Sequence, residues 1–431
     1  MYFRHSLVAL GQQQAVDSLT QLLVHARADS TRGRLLCQLC ESLRRAGQLD
    51  SALAVGERGL ALLPAGVASR SRADCYSSLG NTHLVSGRLD EAEAAYRQGA
   101  LQAQSARQPK IEAMNVMGLG NVAYYQGNFT LALKHHQQAL QLFEAAQNLS
   151  GISQCLLNIG NVYEAMGKRE EAVRYYEKSL SYKRKLKNSS GIANILNNLG
   201  LIYTDLKEYD RALAYAREAL ALRESIGERP GKVQSLVGIG NIYKLTQAYG
   251  KAEAAYREAY TLALELNDQP SALAALGSLG TVSYQLGRYA EARRISVQVL
   301  QGTTDLGLII YRKDAASALY RIDSATGNWQ SAFHYLRLFT VLKDSLVNEE
   351  KFRELGRLES QYEYERQAEI ERLQAEVEAQ HQRNRLSWVL GSAGGGMVLL
   401  LVIAYTLFRG RQKEKRANAA LRQLNAEIQQ K

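Results

Sequence analysis

Six glycines, Gly80, Gly120, Gly160, Gly200, Gly240 and Gly280, stand 40 residues apart without a slip, and four of them precede Asn. A fixed period of this length requires one helical unit copied along the chain, because a lone unit cannot bury its apolar face and only stacked neighbours supply a core. Other positions keep the same phase. Ala recurs at Ala52, Ala92, Ala132, Ala172, Ala212, Ala252, Ala292 and Ala332. A second Gly recurs at Gly47, Gly87, Gly127, Gly167, Gly287 and Gly327, and a large apolar residue follows two positions later at Leu49, Leu89, Phe129, Tyr209, Tyr249, Tyr289 and Trp329. The second Gly reads as a helix C-terminal turn. Each unit is therefore helix A, turn, helix B, with Gly and Ala letting two helices approach closely and the aromatic filling the gap.

Proline usage agrees. Only four Pro occur in 431 residues; Pro109, Pro230 and Pro270 share one phase in the connections between units, and Pro64 falls near the end of an early B helix. No helix interior is interrupted. Length in such a chain measures repeat number, since a stack of units has one quasi-one-dimensional core.

Leu199-Gly200, Tyr203, Tyr209, Ala212 and Ala219 resemble the tetratricopeptide repeat pattern, as do Leu79-Gly80, Gly87, Ala92 and Tyr96, and Ile159-Gly160, Tyr163, Gly167, Ala172 and Tyr176. The period exceeds the family's usual length of about 34, and the closing Pro of the pattern is missing. The resemblance implies an all-α helical-hairpin solenoid of about eight units over residues 31–343, with an inner surface lined by the A helices. Cys40 and Tyr320 replace the ladder Gly in the first and last units, as expected of capping repeats with one face toward solvent.

A second region predicts a membrane span. Leu386 to Phe408 carries no charge over 23 residues, long enough to cross a hydrocarbon core of roughly 30 Å, and residues 387–408 read as a single transmembrane helix. Trp388 and Tyr405 fit interfacial anchors. Arg409, Arg411, Lys413, Lys415 and Arg416 on the C-terminal side place residues 409–431 in the cytoplasm as a basic juxtamembrane helix. The expectation is a single-pass bacterial inner-membrane protein with extracytoplasmic repeats. Residues 1–30 read as a degenerate leader and N-terminal helix, because Arg4, His5 and the run Ser6 to Leu10 resemble a signal peptide whose apolar stretch is too short. Residues 344–386 form a connecting helix with a coiled-coil-like seam of Leu355, Leu358, Tyr362, Ile370, Leu373 and Val377, which Leu421, Leu424 and Ile428 restart. Within the span, Gly391 and Gly395 form a Gly-x-x-x-Gly pair that predicts a parallel homodimer.

This arrangement resembles the input half of a bacterial membrane-bound sensor histidine kinase. That family's kinase core needs a phosphoacceptor His beyond the span, and the seven His, His5, His25, His83, His135, His136, His334 and His381, all precede it. The chain is therefore not expected to be an enzyme. It reads as a membrane-anchored sensory input module that binds protein or peptide and lacks its catalytic output, through truncation or through reliance on a separate kinase partner. The alternative is a non-signalling tethered scaffold for envelope proteins.

Asn81, Asn121, Asn161 and Asn241 follow the ladder Gly, and Asn158, Asn194, Asn197 and Asn198 lie on nearby A-helix turns. A carboxamide offers both donor and acceptor, so amides at unit spacing can pair with the backbone of an extended peptide whatever its side chains. The same Asn could instead satisfy turns and inter-repeat hydrogen bonds. Cys37-Gln-Leu-Cys40 has redox or zinc spacing, but on a helix these positions suit a disulfide poorly, and Cys75 and Cys155 share one phase. All four read as buried small hydrophobes. His135 and His136 are expected on a solvent or groove face without a metal partner. No cofactor, metal or nucleic acid is expected, because the net charge of +11 is dispersed among acidic residues except beside the span.

Overall fold

The computed structural model describes the backbone of residues 3–64 and 69–428, with side chains throughout except at 3–13, 305, 347–365, 367, 368, 386–398 and 424–428. The chain divides into two compact units, residues 1–361 and 362–431.

The first unit is all helical among the described residues. After α1 (Phe3–His25) come the hairpins α2 (Asp29–Arg45) with α3 (Leu49–Leu62), α4 (Arg70–Val85) with α5 (Leu89–Ser105), and α6 (Pro109–Tyr125) with α7 (Phe129–Ala145). Then follow α8 (Leu149–Ala165) with α9 (Arg169–Lys185), α10 (Ser189–Asp205) with α11 (Tyr209–Ile226), and α12 (Arg229–Leu245) with α13 (Tyr249–Glu265). The last two hairpins are α14 (Gln269–Gln285) with α15 (Tyr289–Asp305), and α16 (Ile309–Ala325) with the start of α17 (Trp329–Ile428).

Local chemistry explains the boundaries. Gly47, Gly87, Gly127, Gly167, Gly287 and Gly327 all take positive φ at the end of an A helix, and Lys207 and Gln247 take the same left-handed conformation where the Gly is missing. In the second hairpin this turn lets Arg88 N–H reach the His83 carbonyl at 2.9 Å, closing the helix end. Asn148, Asn188 and Asp268 each cap the next A helix, accepting from the backbone N–H of Gly151, Gly191 and Ser271 at 3.0, 2.8 and 3.1 Å. Pro109, Pro230 and Pro270 occupy the first turn of α6, α12 and α14, where a missing N–H is harmless.

Except at Gly200, the ladder glycines are required by the B helix of their own hairpin. A Cβ on Gly80, Gly160 or Gly240 would stand 2.7, 2.6 and 2.6 Å from ring carbons of Tyr96, Tyr176 and Tyr256. These buried tyrosines, rather than the aromatic after the turn, fill the gap between A and B. The phased Ala residues from Ala52 to Ala292 are fully buried and bring the helix pair together. Successive A helices also touch, as in α4·α6 and α10·α12, whereas successive B helices do not to a comparable extent among the described residues. The stack therefore curves with its A helices on the concave side.

The cysteines correct the packing expectation. Cys37 of α2 and Cys75 of α4 form a disulfide with Cα atoms 5.0 Å apart, joining the first two hairpins across 38 residues, while Cys40 and Cys155 are buried free thiols.

No helix among the described residues is long and apolar enough to cross a membrane. This overturns the single transmembrane helix expected over 387–408, and with it the single-pass inner-membrane placement with extracytoplasmic repeats. The side chains of Trp388, Gly391 and Gly395 lie outside the described residues. In the second unit the described seam residues Ile370, Leu373, Val377 and Leu421 are exposed along the helix.

Candidate functional site: an amide-lined concave groove

Each A helix presents one stripe to the concave side, and in the middle hairpins that stripe is made of carboxamides. Asn81, Asn161 and Asn241 lie half-buried one residue after the ladder Gly. The hydroxyls of Tyr96 and Tyr256 donate to Oδ1 of Asn81 and Asn241, each at 2.7 Å, whereas the single proton of the Tyr176 hydroxyl is shared between Asn161 at 2.7 Å and the Glu164 carboxylate. The phenols are buried, and burial raises their pKa, so each keeps the proton that it donates. With Oδ1 engaged at Asn81 and Asn241, their Nδ2 groups have no protein partner among the described residues.

Asn121 and Asn158 behave differently. The Asn158 Nδ2 donates to Asn121 Oδ1 at 3.0 Å, from α8 to α6, and Gln154 Nε2 donates to Asn158 Oδ1 at 3.1 Å. These three amides form one chain across two hairpins. The Tyr176 hydroxyl lies 2.5 Å from Glu164 as well and bonds Asn198, so α8, α9 and α10 meet at one phenol. Asn194 is exposed and accepts at 2.8 Å from Arg223, a guanidinium rising from α11. Asn197 is half-buried on α10, facing Gly238 of α12.

In the third hairpin the tyrosine position holds His136, whose ring lies 2.6 Å from where a Gly120 Cβ would stand. The residue is 1% exposed, contrary to the expected solvent or groove face, and burial pushes its pKa down to about 3. Its Nδ1 has no hydrogen-bond partner. Toward α16 the groove widens into a cavity of about 340 Å³ lined in part by Lys244, Ser278, Thr281, Asp314 and Arg321. There Asp314 pairs with Lys313 at 3.1 Å and Arg321 stacks over Tyr284. Among the described residues no group of three or more His, Cys, Asp or Glu could hold a metal ion.

Sequence periodicity located the Asn positions but missed what orients them. The tyrosines that anchor them, the glutamines Gln154 and Gln234, and Arg223 lie in other phases or on the other helix. A signal existed in the coincidence of Gly, Asn and Tyr at fixed offsets in three units, Gly80, Asn81 and Tyr96 being the first.

The fold and site define a curved helical-hairpin stack with a polar inner surface. One tetratricopeptide repeat model matches residues 111–185 and 191–265, and another matches 72–100 and 272–305. The repeats over these residues match the tetratricopeptide repeat. A search of curated proteins gives no match. Among solved structures, the chain is similar to the apo form of the quorum sensor NprR from B. thuringiensis, at 16% identity and a TM-score of 0.57, over 79% of this chain and 96% of that one. It is similar also to a signal transduction ATPase with numerous domains from Pyrococcus horikoshii that has a tetratricopeptide repeat sensor, at 12% identity and 0.59, over 80% of this chain and 54% of that one. A Rap protein complexed with competence and sporulation factor aligns at 16% identity and 0.50, over 79% of this chain and 99% of that one. At these identities the likeness shows the fold.

Proposed function

We propose that the chain is a binding module that holds an extended peptide, or an extended segment of a protein, along its concave surface, and that it serves as the sensory input of a signalling system. The observation that carries this reading is the phased carboxamides Asn81, Asn161 and Asn241, of which Asn81 and Asn241 have Oδ1 engaged by a buried tyrosine of the B helix. Fixed donors pre-oriented in a groove lose little rotamer entropy on binding, and an extended backbone presents carbonyls to them regardless of side chain. Neighbouring A helices pack roughly 10 Å apart and an extended chain rises about 3.3 Å per residue, so each hairpin meets every third residue of the ligand. A ligand bridging several hairpins would favour one curvature of the stack over another, which is how binding becomes a signal. The quorum sensor, the Rap complex and the repeat sensor of the ATPase support this reading by analogy of fold.

The test places a photo-crosslinking amino acid at Asn197 in the groove or at Glu177, which is exposed on α9. With a randomised heptapeptide pool, the Asn197 probe should capture peptide and the Glu177 probe should not. Equal capture at both, or capture at Glu177 alone, contradicts a groove.

A further inference from the structure

Position 3 of the 40-residue phase, near the end of each A helix, is Tyr163, Tyr203 and Tyr243 in three consecutive hairpins. These rings plug the clefts between successive B helices. Tyr163 and Tyr203 stack on Tyr175 and Tyr215 of the following B helix, with ring centroids 5.3 and 5.5 Å apart. Tyr243 is held from both sides: Arg217 Nη2 of α11 donates to its hydroxyl at 2.6 Å, and the Lys251 ammonium of α13 lies 5.6 Å from its ring centroid. In the next hairpin the same position is Ser283, and the plug is missing.

A cavity of about 450 Å³ opens there between α13, α14 and α15. Its floor is apolar, from Tyr260 and the buried Leu276, Leu279 and Ile295. Leu276, Leu279 and Ser283 lie on the face of α14 opposite Ala274, Gly277, Ser278 and Thr281, which line the groove, so the cavity belongs to the convex side. Tyr284, one position further on, does not fill it, because its ring lies against Tyr289 at 5.5 Å and beneath Arg321. Ser283 is 3% exposed and lines the cavity, and its hydroxyl has no partner among the described residues. Arg257 precedes Ser283 by 26 residues, as Arg217 precedes Tyr243, and so stands where a phenol in the cavity would meet it. It now pairs with Glu253 at 2.7 Å and reaches Glu291 of α15 at 3.5 Å. Arg294 lines the cavity, exposed and without hydrogen bond or ion pair among the described residues.

We infer that this convex cavity is a docking pocket for a tyrosine side chain of another protein, carried on an acidic segment. The three sister hairpins set the template, since each holds a phenol of its own chain where this one holds none. An entering ring would lie on Leu276, Leu279 and Ile295 with its hydroxyl toward Arg257. Among the described lining residues Arg257 and Arg294 are cations and Glu291 is the one anion, which favours a negative group beside the tyrosine. Exposed Thr261, Arg294 and Gln298 supply the polar rim that surrounds an aromatic anchor at a protein interface. The pocket lies on the other side of the stack from the amide groove, so its occupancy does not depend on peptide binding there.

The experiment titrates the full chain, by ligand-observed NMR, with 4-methylphenol, toluene, N-acetyl-Glu-Tyr-amide and N-acetyl-Lys-Tyr-amide. 4-Methylphenol should bind about fivefold tighter than toluene, and the Glu-Tyr probe tighter than the Lys-Tyr probe. Ser283→Tyr supplies the missing plug, so it should raise the melting temperature and weaken binding of 4-methylphenol and of the Glu-Tyr probe at least about tenfold. Arg257→Met keeps the aliphatic stem and should bring 4-methylphenol and toluene to equal affinity. This variant carries the test if melting curves show that Ser283→Tyr does not fold. Binding of no probe, or binding unchanged in the folded variants, overturns the pocket. Binding of 4-methylphenol without either dipeptide means a free phenol, and a wild-type dimer that Ser283→Tyr dissociates means a second copy of this chain; each overturns the assignment to another protein. Equal affinity for the two dipeptides overturns the acidic segment.

Discussion

The hydroxyl of Tyr256 donates to Asn241 Oδ1 at 2.7 Å, while the ring of the same tyrosine lies where a Cβ on Gly240 would come within 2.6 Å. One side chain thus accounts for the glycine and sets the amide beside it. Tyr256→Phe keeps the ring and removes the donor. It should lower stability by about 1 kcal/mol in chemical denaturation, with the fold intact.

His136 makes the third hairpin acid-sensitive. Its folded pKa, about 3, lies below the ordinary value of 6.5, so the unfolded chain binds the proton more readily. The contribution to stability is complete above pH 6.5 and is lost as pH falls from 6.5 toward 3. At pH 5 the loss should be about 2 kcal/mol from this residue alone. His136→Tyr restores the residue found at Tyr96 and Tyr176, and the pH dependence of melting between 7 and 5 should shrink accordingly. An unchanged slope would mean that His136 does not stay neutral in its pocket.

The Cys37–Cys75 disulfide closes a loop of 38 residues at the N-terminal end of the stack. Replacing both by Ser should destabilise the first two hairpins by about 2–4 kcal/mol, measured by hydrogen exchange in α2 and α4 against α12. A uniform loss along the chain would contradict a local staple.

Lys207 and Gln247 hold the left-handed conformation that glycine holds in the other A–B turns, with φ of 62° and 59°. Lys207→Gly and Gln247→Gly should each stabilise the chain by up to about 1 kcal/mol, since relief of the Cβ contact exceeds the added freedom of the unfolded chain. Thermal melting of the single variants measures it.

The fold was legible because a solenoid writes its packing into one period: Gly80 and its five successors marked the A helices, and Gly47 and its companions the turns. The groove was half legible. Asn81, Asn161 and Asn241 share a phase that sequence shows, but their fixed orientation comes from tyrosines 15 residues away, and the Asn158 to Asn121 bond links positions 37 apart in different phases. Disulfide pairing was hidden for the same reason. Cys37 and Cys75 are out of phase by two residues, and all four cysteines read as buried small hydrophobes. The membrane reading is overturned by the finding that no helix among the described residues is long and apolar enough to cross a membrane.

The most direct test of the groove is titration calorimetry of a peptide selected from the random pool against the full chain and against Asn197→Ala combined with Asn241→Asp. The aspartate still accepts from Tyr256, and Asn197 has no hydrogen-bond partner among the described residues, so melting should be nearly unchanged. Two groove donors are gone, and affinity should fall at least about tenfold. Equal affinity in the folded double variant would contradict ligand recognition by the concave amides.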